Sequence, residues 1–577
     1  MRPEPLALED AFKQFSQDQD KVTTPEQTVR RFKERLAQTG LRLLEEVVRV
    51  DNGRLGIPVY FSICGEDAYA ATGNYKQMGK GASPAQAQAS AVMELAERFS
   101  LFSFSGNPSN FIHAAARDLD VDHLDFQKIA QSVNDTSGDL PVAETLFRQI
   151  PLQWTWAHDL ARHETVLIPF NWFFTINEFN GSSAGNADTE AICQGICEIV
   201  ERHVCALISR HQIQAPLIDP ESVGDAVARE LMGKYRAAGI ELFLSDFTAD
   251  MGIPSIGALA WDPETFPGKS EIVWTAGTMP SASKALCRAL TEVAQLAGDF
   301  NSSSKYVASG LPKFKDIDQA RHITQPGRTA ALNSLPDLGH DNIRVEVERC
   351  MAALQHRGLD TYVVNVTHPQ LKIPAFYTVM PGTLFRERTS HASVAMICGK
   401  IVAETLDAES AASLLQQFDK ALPGKYFFKF YLGQVCLARG LVDEAAARFR
   451  EALDLAPPED ELATIKTYLA MGLKDMERYD EALEILAQAD ELDPERTDTL
   501  NLMGYCYYKQ KAYEKAVACF QKIIALNPSS AIDYANLASN YRAMGEKAKA
   551  IEYYQLALAL DPGITFASEH LKELAGD

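Results

Sequence analysis

The sequence predicts a mixed α/β (α+β) domain over residues 1–415, a hinge at 416–425 and an all-α solenoid over 426–577. Three observations carry this reading. Pro494, Pro528 and Pro562 recur every 34 residues near the C-terminal end. Before residue 415, short apolar runs alternate with amphipathic stretches, the pattern of strands interleaved with helices. Three of those helical stretches carry polar residues at spacings of three and four along an otherwise apolar body.

The strand candidates are "LRLLEEVVRV" from Leu41, "IPVYFSIC" from Ile57, "SIGALAWD" from Ser255 and "TYVVNVTHP" from Thr361. The first striped helix follows "GKGAS": Ser83 suits the N-cap, Pro84 the first helical position and Gln86 a capping box. Ser90, Glu94 and Glu97 then share one face. The second follows "SSAGN", with Glu190, Gln194, Glu198 and Glu201 in one stripe. The first two share a Glu-x2-Glu-Arg core, Glu94 to Arg98 and Glu198 to Arg202. The third, "PSASKALCRALTEVAQ", places Arg288, Thr291, Glu292 and Gln295 on one face.

The C-terminal third is a repeat of the tetratricopeptide period. Small and aromatic positions recur as Leu432, Gly433, Ala445, Phe449 and Ala452, then Leu469, Ala482 and Ala489, then Gly504, Tyr507, Ala516 and Phe520, then Leu537, Tyr541, Ala550, Tyr554 and Ala557. Small residues let paired helices touch, aromatics fill the grooves, and proline stops the second helix. Four units from Tyr426 and a partial capping helix are expected, binding a peptide or protein segment. Dimerisation or a rigid-spacer role is the competing reading.

Composition narrows the function classes. A chain of 577 residues exceeds one hydrophobic core. Its net charge of −22 disfavours nucleic acid and anionic membrane as direct ligands and favours a basic partner. The N-terminus lacks a signal-peptide pattern, no run is long enough to span a membrane, and the ten cysteines form no CxxC pair, so a cytoplasmic protein with reduced thiols is expected. Cys193 and Cys197 are read as core residues, and His203 and His391 as structural.

Three polar stripes on apolar helices can be buried together only if something neutralises them. Carboxylate oxygens suit Mg²⁺, with phosphate oxygens and water completing its shell. Arginines, Lys21 and Lys80 would face phosphate, and the loops before the helices would add N–H groups. A multi-Mg²⁺ nucleotide site follows, without a P-loop or dinucleotide fingerprint. Glu198 and Glu201 are expected to serve ligand binding rather than folding. On this reading Glu201→Gln is neutral or stabilising in ligand-free protein, because clustered carboxylates repel.

These motifs resemble the three ATP-binding motifs of the YcaO family: Ser90-x3-Glu94-x2-Glu97-Arg98, Ser183-x6-Glu190-x3-Gln194-x3-Glu198-x2-Glu201-Arg202 and Arg288-x2-Thr291-Glu292-x2-Gln295. "DKVTTPEQTVRRF" is similar to the family's N-terminal lysine segment. By position, the resemblance implies that Glu94, Glu97, Glu190, Glu198, Glu201 and Glu292 hold or support Mg²⁺. It implies ATP contacts from Lys21, Thr28, Lys80, Ser90, Arg98, Ser183, Asn186, Gln194, Arg202, Arg288 and Gln295. It names no catalytic residue. The implied chemistry is ATP-dependent activation of a backbone amide, giving an azoline, amidine or thioamide.

The chain departs from azoline-forming members by ending in "HLKELAGD" instead of a proline-rich tail. Members with a helical extension include the accessory factor for ribosomal-protein aspartate β-methylthiolation, which makes a basic ribosomal protein a candidate client. A homodimer is expected. The competing function is a nucleotide-binding scaffold acting through its repeats.

Overall fold

A computed structural model describes residues 2–300, 313–385, 392–527 and 530–576. Pro528 and His391 lie outside the described residues. The chain forms two compact units: one holds most of residues 1–394, and the other holds 139–146 and 395–577.

The first unit mixes helices with sheets that are antiparallel except where Leu217–Ile218 pairs with Thr329–Ala330, and all four strand candidates are found, as Leu44–Arg49, Val59–Cys64, Ser255–Trp261 and Tyr362–Asn365. A larger sheet runs in the order 112–115, 151–159, 362–365, 375–379, 182–184, with 164–169 also paired to 151–159. The striped helices are Pro84–Ser105, Asp188–His211 and Ala282–Ala297.

Two of those helices end equivalent substructures. Helix Pro25–Thr39, strands Leu44–Arg49, Val59–Cys64 and Lys76–Lys80, and helix Pro84–Ser105 come in this order, with the short helix Glu66–Thr72 inserted between the second and third strands. The same order returns as helix Ala226–Ala237, strands Glu241–Asp246, Ser255–Trp261 and Val273–Thr278, and helix Ala282–Ala297. In each copy the third strand lies against its own helix with a glycine at the contact. A Cβ on Gly79 would stand 2.0 Å from the Ala91 nitrogen, and one on Gly277 would stand 2.4 Å from the Ala285 oxygen. No side chain fits there. Counted from these glycines, Ser90, Glu94 and Glu97 take the same places as Arg288, Glu292 and Gln295. The close approach brings each strand end, at Lys80 and Thr278, beside its helix's polar stripe.

From Tyr426 the second unit pairs helices successively: Tyr426–Ala438 with Val442–Asp454, Glu459–Asp475 with Tyr479–Leu492, Thr497–Lys509 with Tyr513–Leu526, and Ala531–Ala543 with Lys547–Leu560. Thr565–Gly576 packs on the last pair. Within pairs, ring meets glycine: a Cβ on Gly433 would fall 2.5 Å from the Phe449 ring, and one on Gly504 2.7 Å from Phe520. The stretch read as a hinge is helical as far as Ala421, because helix Ala408–Ala421 extends into it. Asp407 caps that helix, and Ala411, Leu415 and Phe418 are buried along its apolar face against helix Tyr426–Ala438. Burial of that face outweighs the glycine and proline that follow. No described helix is long and apolar enough to cross a membrane.

Candidate functional site

The three polar stripes converge on one cavity of about 250 Å³ in the first unit. Of the residues expected at the site, all but Ser183 and Glu201 line it: Lys21, Thr28, Lys80, Ser90, Glu94, Glu97, Arg98, Asn186, Glu190, Gln194, Glu198, Arg202, Arg288, Glu292 and Gln295. Ser183 is fully buried behind the wall, where its Oγ lies close to Gly195 of the second striped helix. Glu201 is fully buried one layer below the lining.

The wall also includes Gln19, Thr23, Gln86 and Met93. Gln19 and Thr23 flank the short strand Asp20–Lys21 that carries Lys21. Gln86 extends the first stripe by one turn. Ser83 accepts the Gln86 N–H at 3.3 Å, while the Gln86 side chain belongs to the cavity wall instead of closing a capping box.

The wall is built from opposed charges. Arg98 stands 3.1 Å from Glu97 and 3.7 Å from Glu94, with its guanidinium 4.1 Å from the centre of the Phe179 ring. Arg202 stands 3.9 Å from Glu198. Lys80 pairs with Glu292, joining the strand of one copy to the helix of the other. Lys21 lies 3.9 Å from Glu190. Glu190 itself accepts N–H bonds from Val22 at 2.9 Å, the Asn186 backbone at 3.1 Å and the Asn186 amide at 3.0 Å. Thr28 donates to the Asn186 side chain at 3.1 Å. Glu190 therefore ties the N-terminal segment to the loop before the second helix.

Glu201 has a different neighbourhood from the other carboxylates. Its Oε2 accepts the Arg288 Nε–H at 2.8 Å and the Thr278 N–H at 3.1 Å. Burial raises its pKa, but Arg288 and then Arg202 outweigh burial and hold it below the ordinary value. This overturns the expectation that removing the charge relieves repulsion: in ligand-free protein Glu201 is the counter-ion of a buried arginine. Glu97 and Glu198 behave oppositely. Burial pushes both up against the opposing pull of Arg98 and Arg202 respectively. Burial and then Arg288 depress Lys80 to about 7.

Whether Mg²⁺ and a nucleotide fit can be tested on unsatisfied atoms. Glu201 Oε1, Arg202 Nε and Gln295 Oε1 are buried without a hydrogen-bond partner. Buried polar atoms are normally satisfied, so the two on lining residues, Arg202 Nε and Gln295 Oε1, point to a polar ligand. The donors are carboxylate oxygens beside arginine and lysine, suited to a hard cation and to phosphate. Among the described residues no three of His, Cys, Asp and Glu are placed to hold a metal ion by themselves. Mg²⁺ typically takes one or two carboxylates plus phosphate oxygens and water, so the cation fits here together with a nucleotide.

His203 accepts the Leu384 N–H at 2.9 Å, and burial depresses it to about 4, consistent with a neutral structural ring. Cys193 and Cys197 are buried free thiols.

A family model described as YcaO cyclodehydratase, ATP- and Mg²⁺-binding, matches residues 78–384, more than half of the chain. Tetratricopeptide models match 404–460, 473–541 and 531–564. An uncharacterised protein of Methanothermobacter thermautotrophicus is 28% identical over 380 residues, covering 62% of this chain and 93% of its own length. The ribosomal protein S12 methylthiotransferase accessory factor YcaO of Escherichia coli is 30% identical over 141 residues, 24% of this chain and 23% of its own.

Among solved structures, a heterocyclase in complex with substrate and cofactor shares the fold at a TM-score of 0.53 and 24% identity, over 66% of this chain and 55% of its own. YcaO from Methanopyrus kandleri bound with AMPPCP and Mg²⁺ does so at 0.50 and 22%, over 65% of this chain and 94% of its own.

Proposed function

Because the chain belongs to the YcaO family, whose members bind ATP and Mg²⁺, we propose that it is an enzyme that activates a backbone amide of a peptide or protein, with its tetratricopeptide repeats recruiting the client or a partner protein. The observation that carries this reading is the meeting of three separate polar stripes in one cavity, with Arg202 Nε and Gln295 Oε1 of its wall left unsatisfied. A cavity serving only packing would not gather five basic side chains and five carboxylates in its wall.

When bound, ATP supplies a phosphoryl group that makes the amide oxygen a leaving group, and Mg²⁺ offsets charge on the phosphates. Glu94, Glu198 and Glu292 are the carboxylates placed to share the cation with phosphate. Arg98, Arg202 and Arg288 supply fixed positive charge, and Lys80, depressed to about 7, adds to it when protonated. Glu97 stands beside Glu198, where a second cation would find a carboxylate. Glu190 and Glu201 act one layer back, by holding the Asn186 loop and the Arg288 guanidinium. Gln194, Gln295, Ser90 and Asn186 offer neutral hydrogen bonds along the same wall. Lys21 and Thr28 enter from the N-terminal segment. The two substructures thus face each other with unequal equipment, Ser90 and Glu97 opposite Arg288 and Gln295.

In the proposed reaction a nucleophile forms a bond to the amide carbon, the carbon–oxygen bond breaks, and the oxygen leaves with phosphate. The outcome is a heterocycle, a thioamide or a related group according to the nucleophile. The net charge of −22 favours a basic client, for which a ribosomal protein is one candidate.

The test begins with clients captured on the full chain from its own cell lysate in the presence of Mg²⁺ and a non-hydrolysable ATP analogue. A captured client carrying ¹⁸O in its backbone amides is then incubated with the enzyme and ATP. The proposal expects ¹⁸O in released phosphate and a mass change at one client residue. ATP consumption with no amide oxygen in the phosphate and an unaltered client would overturn it.

A further inference from the structure

Lys21 and Gln19 reach the cavity on a hairpin whose ladder is only Phe15–Ser16 against Asp20–Lys21. A ladder of two residues per strand has little stability of its own. Something outside the ladder must set where Lys21 points.

Polar ties run from the hairpin to all three striped-helix segments. Asp18 is 2% exposed, and its Oδ2 accepts the Ala82 N–H at 2.8 Å, in the loop that starts the first helix. Val22 donates to Glu190 of the second helix at 2.9 Å. Lys284 of the third helix donates to the carbonyls of Ser16, at 3.0 Å, and Gln17. A fourth tie lies beneath the hairpin. The Lys13 ammonium, 11% exposed, donates to Asp20 at 2.8 Å and to Glu346 at 2.6 Å. Asp20 directly precedes Lys21, so this buried knot fixes the backbone from which Lys21 projects.

Neither Lys13 nor Lys284 lines the cavity. Both carry a nearly buried charge on the far side of the hairpin. A buried ion pair is weak evidence of stability for its own sake. Here four polar ties hold one short hairpin against the three striped-helix segments and helix Ile343–Gln355.

We propose that Lys13 and Lys284 are positioning residues for the nucleotide, acting through the hairpin to hold Lys21 and Gln19 in the cavity wall while touching no ligand themselves. This rests on the nucleotide reading of the cavity. It adds that the N-terminal hairpin joins the three motifs into one site, so that loosening it weakens binding even with every motif residue intact.

The experiment is calorimetric titration of the full chain with Mg²⁺–ATP, using Lys13→Met, Lys13→Arg, Lys284→Met, Lys21→Ala and the double variant Lys13→Met/Lys21→Ala. A thermal melt of each variant checks that it is folded. Removing a group that orients a ligand-binding side chain commonly costs about 10- to 100-fold in affinity, and that is the rise in Kd expected for Lys13→Met and for Lys284→Met. Lys13→Arg, which keeps the charge, should recover most of the affinity. The double variant should lose clearly less than the product of the two single losses, because Lys13 acts in large part through Lys21 and otherwise only through its neighbour Gln19.

Wild-type affinity in both Lys13→Met and Lys284→Met would overturn the proposal, as would a double variant losing the product of the two single losses. A wild type that does not bind Mg²⁺–ATP would overturn the nucleotide reading itself. Normal wild-type binding with unaffected variants would overturn the positioning role alone.

Discussion

Glu201→Gln offers a sharp test of how the site is held together, because two physical arguments give it opposite signs. If the carboxylates chiefly repel, neutralising one should stabilise ligand-free protein. The structure instead gives Glu201 a partner: its Oε2 lies 2.8 Å from Arg288 Nε, with side-chain exposures of 0% for Glu201 and 10% for Arg288. Removing one partner of a buried pair typically costs about 3–5 kcal/mol, because the other charge stays buried. Glutamine keeps an oxygen for the Thr278 N–H, and Glu198 still faces Arg288. The expected loss therefore lies near the lower end, about 3 kcal/mol.

The assay is denaturant unfolding of the full chain followed by tryptophan emission. All five tryptophans, Trp154, Trp156, Trp172, Trp261 and Trp274, lie in the first unit, so emission reports on that unit alone. Glu201 has a depressed folded pKa, so its contribution is present above its unfolded value of 4.5 and is lost as pH falls. The penalty of Glu201→Gln should shrink in the same direction. A variant as stable as wild type at neutral pH would refute the assignment of Glu201 as the Arg288 counter-ion.

Glu97→Gln should behave oppositely. Its carboxyl is pushed up to about 8, chiefly by burial, so its contribution is fully present below 4.5 and is lost as pH rises through the folded value. Melting curves across that range should show wild type losing stability as pH rises and Glu97→Gln losing less; parallel curves would count against the buried carboxyl pair. Mg²⁺–ATP at about 100 times its dissociation constant should stabilise the first unit by about 2.7 kcal/mol, read from the same tryptophan signal, and an indifferent melt would remove the nucleotide from the account. Gly504→Ala should cost about 1–3 kcal/mol in the repeats, because its Cβ would meet the Phe520 ring. Circular dichroism should report that loss while the affinity for Mg²⁺–ATP is unchanged; a parallel loss of affinity would mean that the repeats support the site directly.

Much of the site was legible because helices impose a period. Spacings of three and four put Ser90, Glu94 and Glu97, and Arg288, Glu292 and Gln295, on single faces, and the structure keeps them there. Period identifies a face but not what that face meets. Glu201 belongs to the same stripe as Glu190 and Glu198, yet it lies below the lining because Arg288 and Thr278 approach it from other segments. Gln19 was missed because it lies in the bend before a strand of only two residues, where no period can be read. The equivalence of the two substructures was hidden because only Gly79 and Gly277, and the polar places counted from them, carry it. The glycine and proline of 416–425 gave no sign that its first part is helical, because buried Leu415 and Phe418 carry the helix as far as Ala421.

The central claim is that the three stripes form one Mg²⁺–nucleotide site, and calorimetric titration of the full chain with ATP, with and without Mg²⁺, tests it most directly. The account predicts saturable one-to-one binding that requires Mg²⁺ and is strongly weakened in both Glu198→Gln and Glu292→Gln, which lie on different helices. Absent binding, or undiminished affinity in folded Glu198→Gln and Glu292→Gln variants, would contradict it.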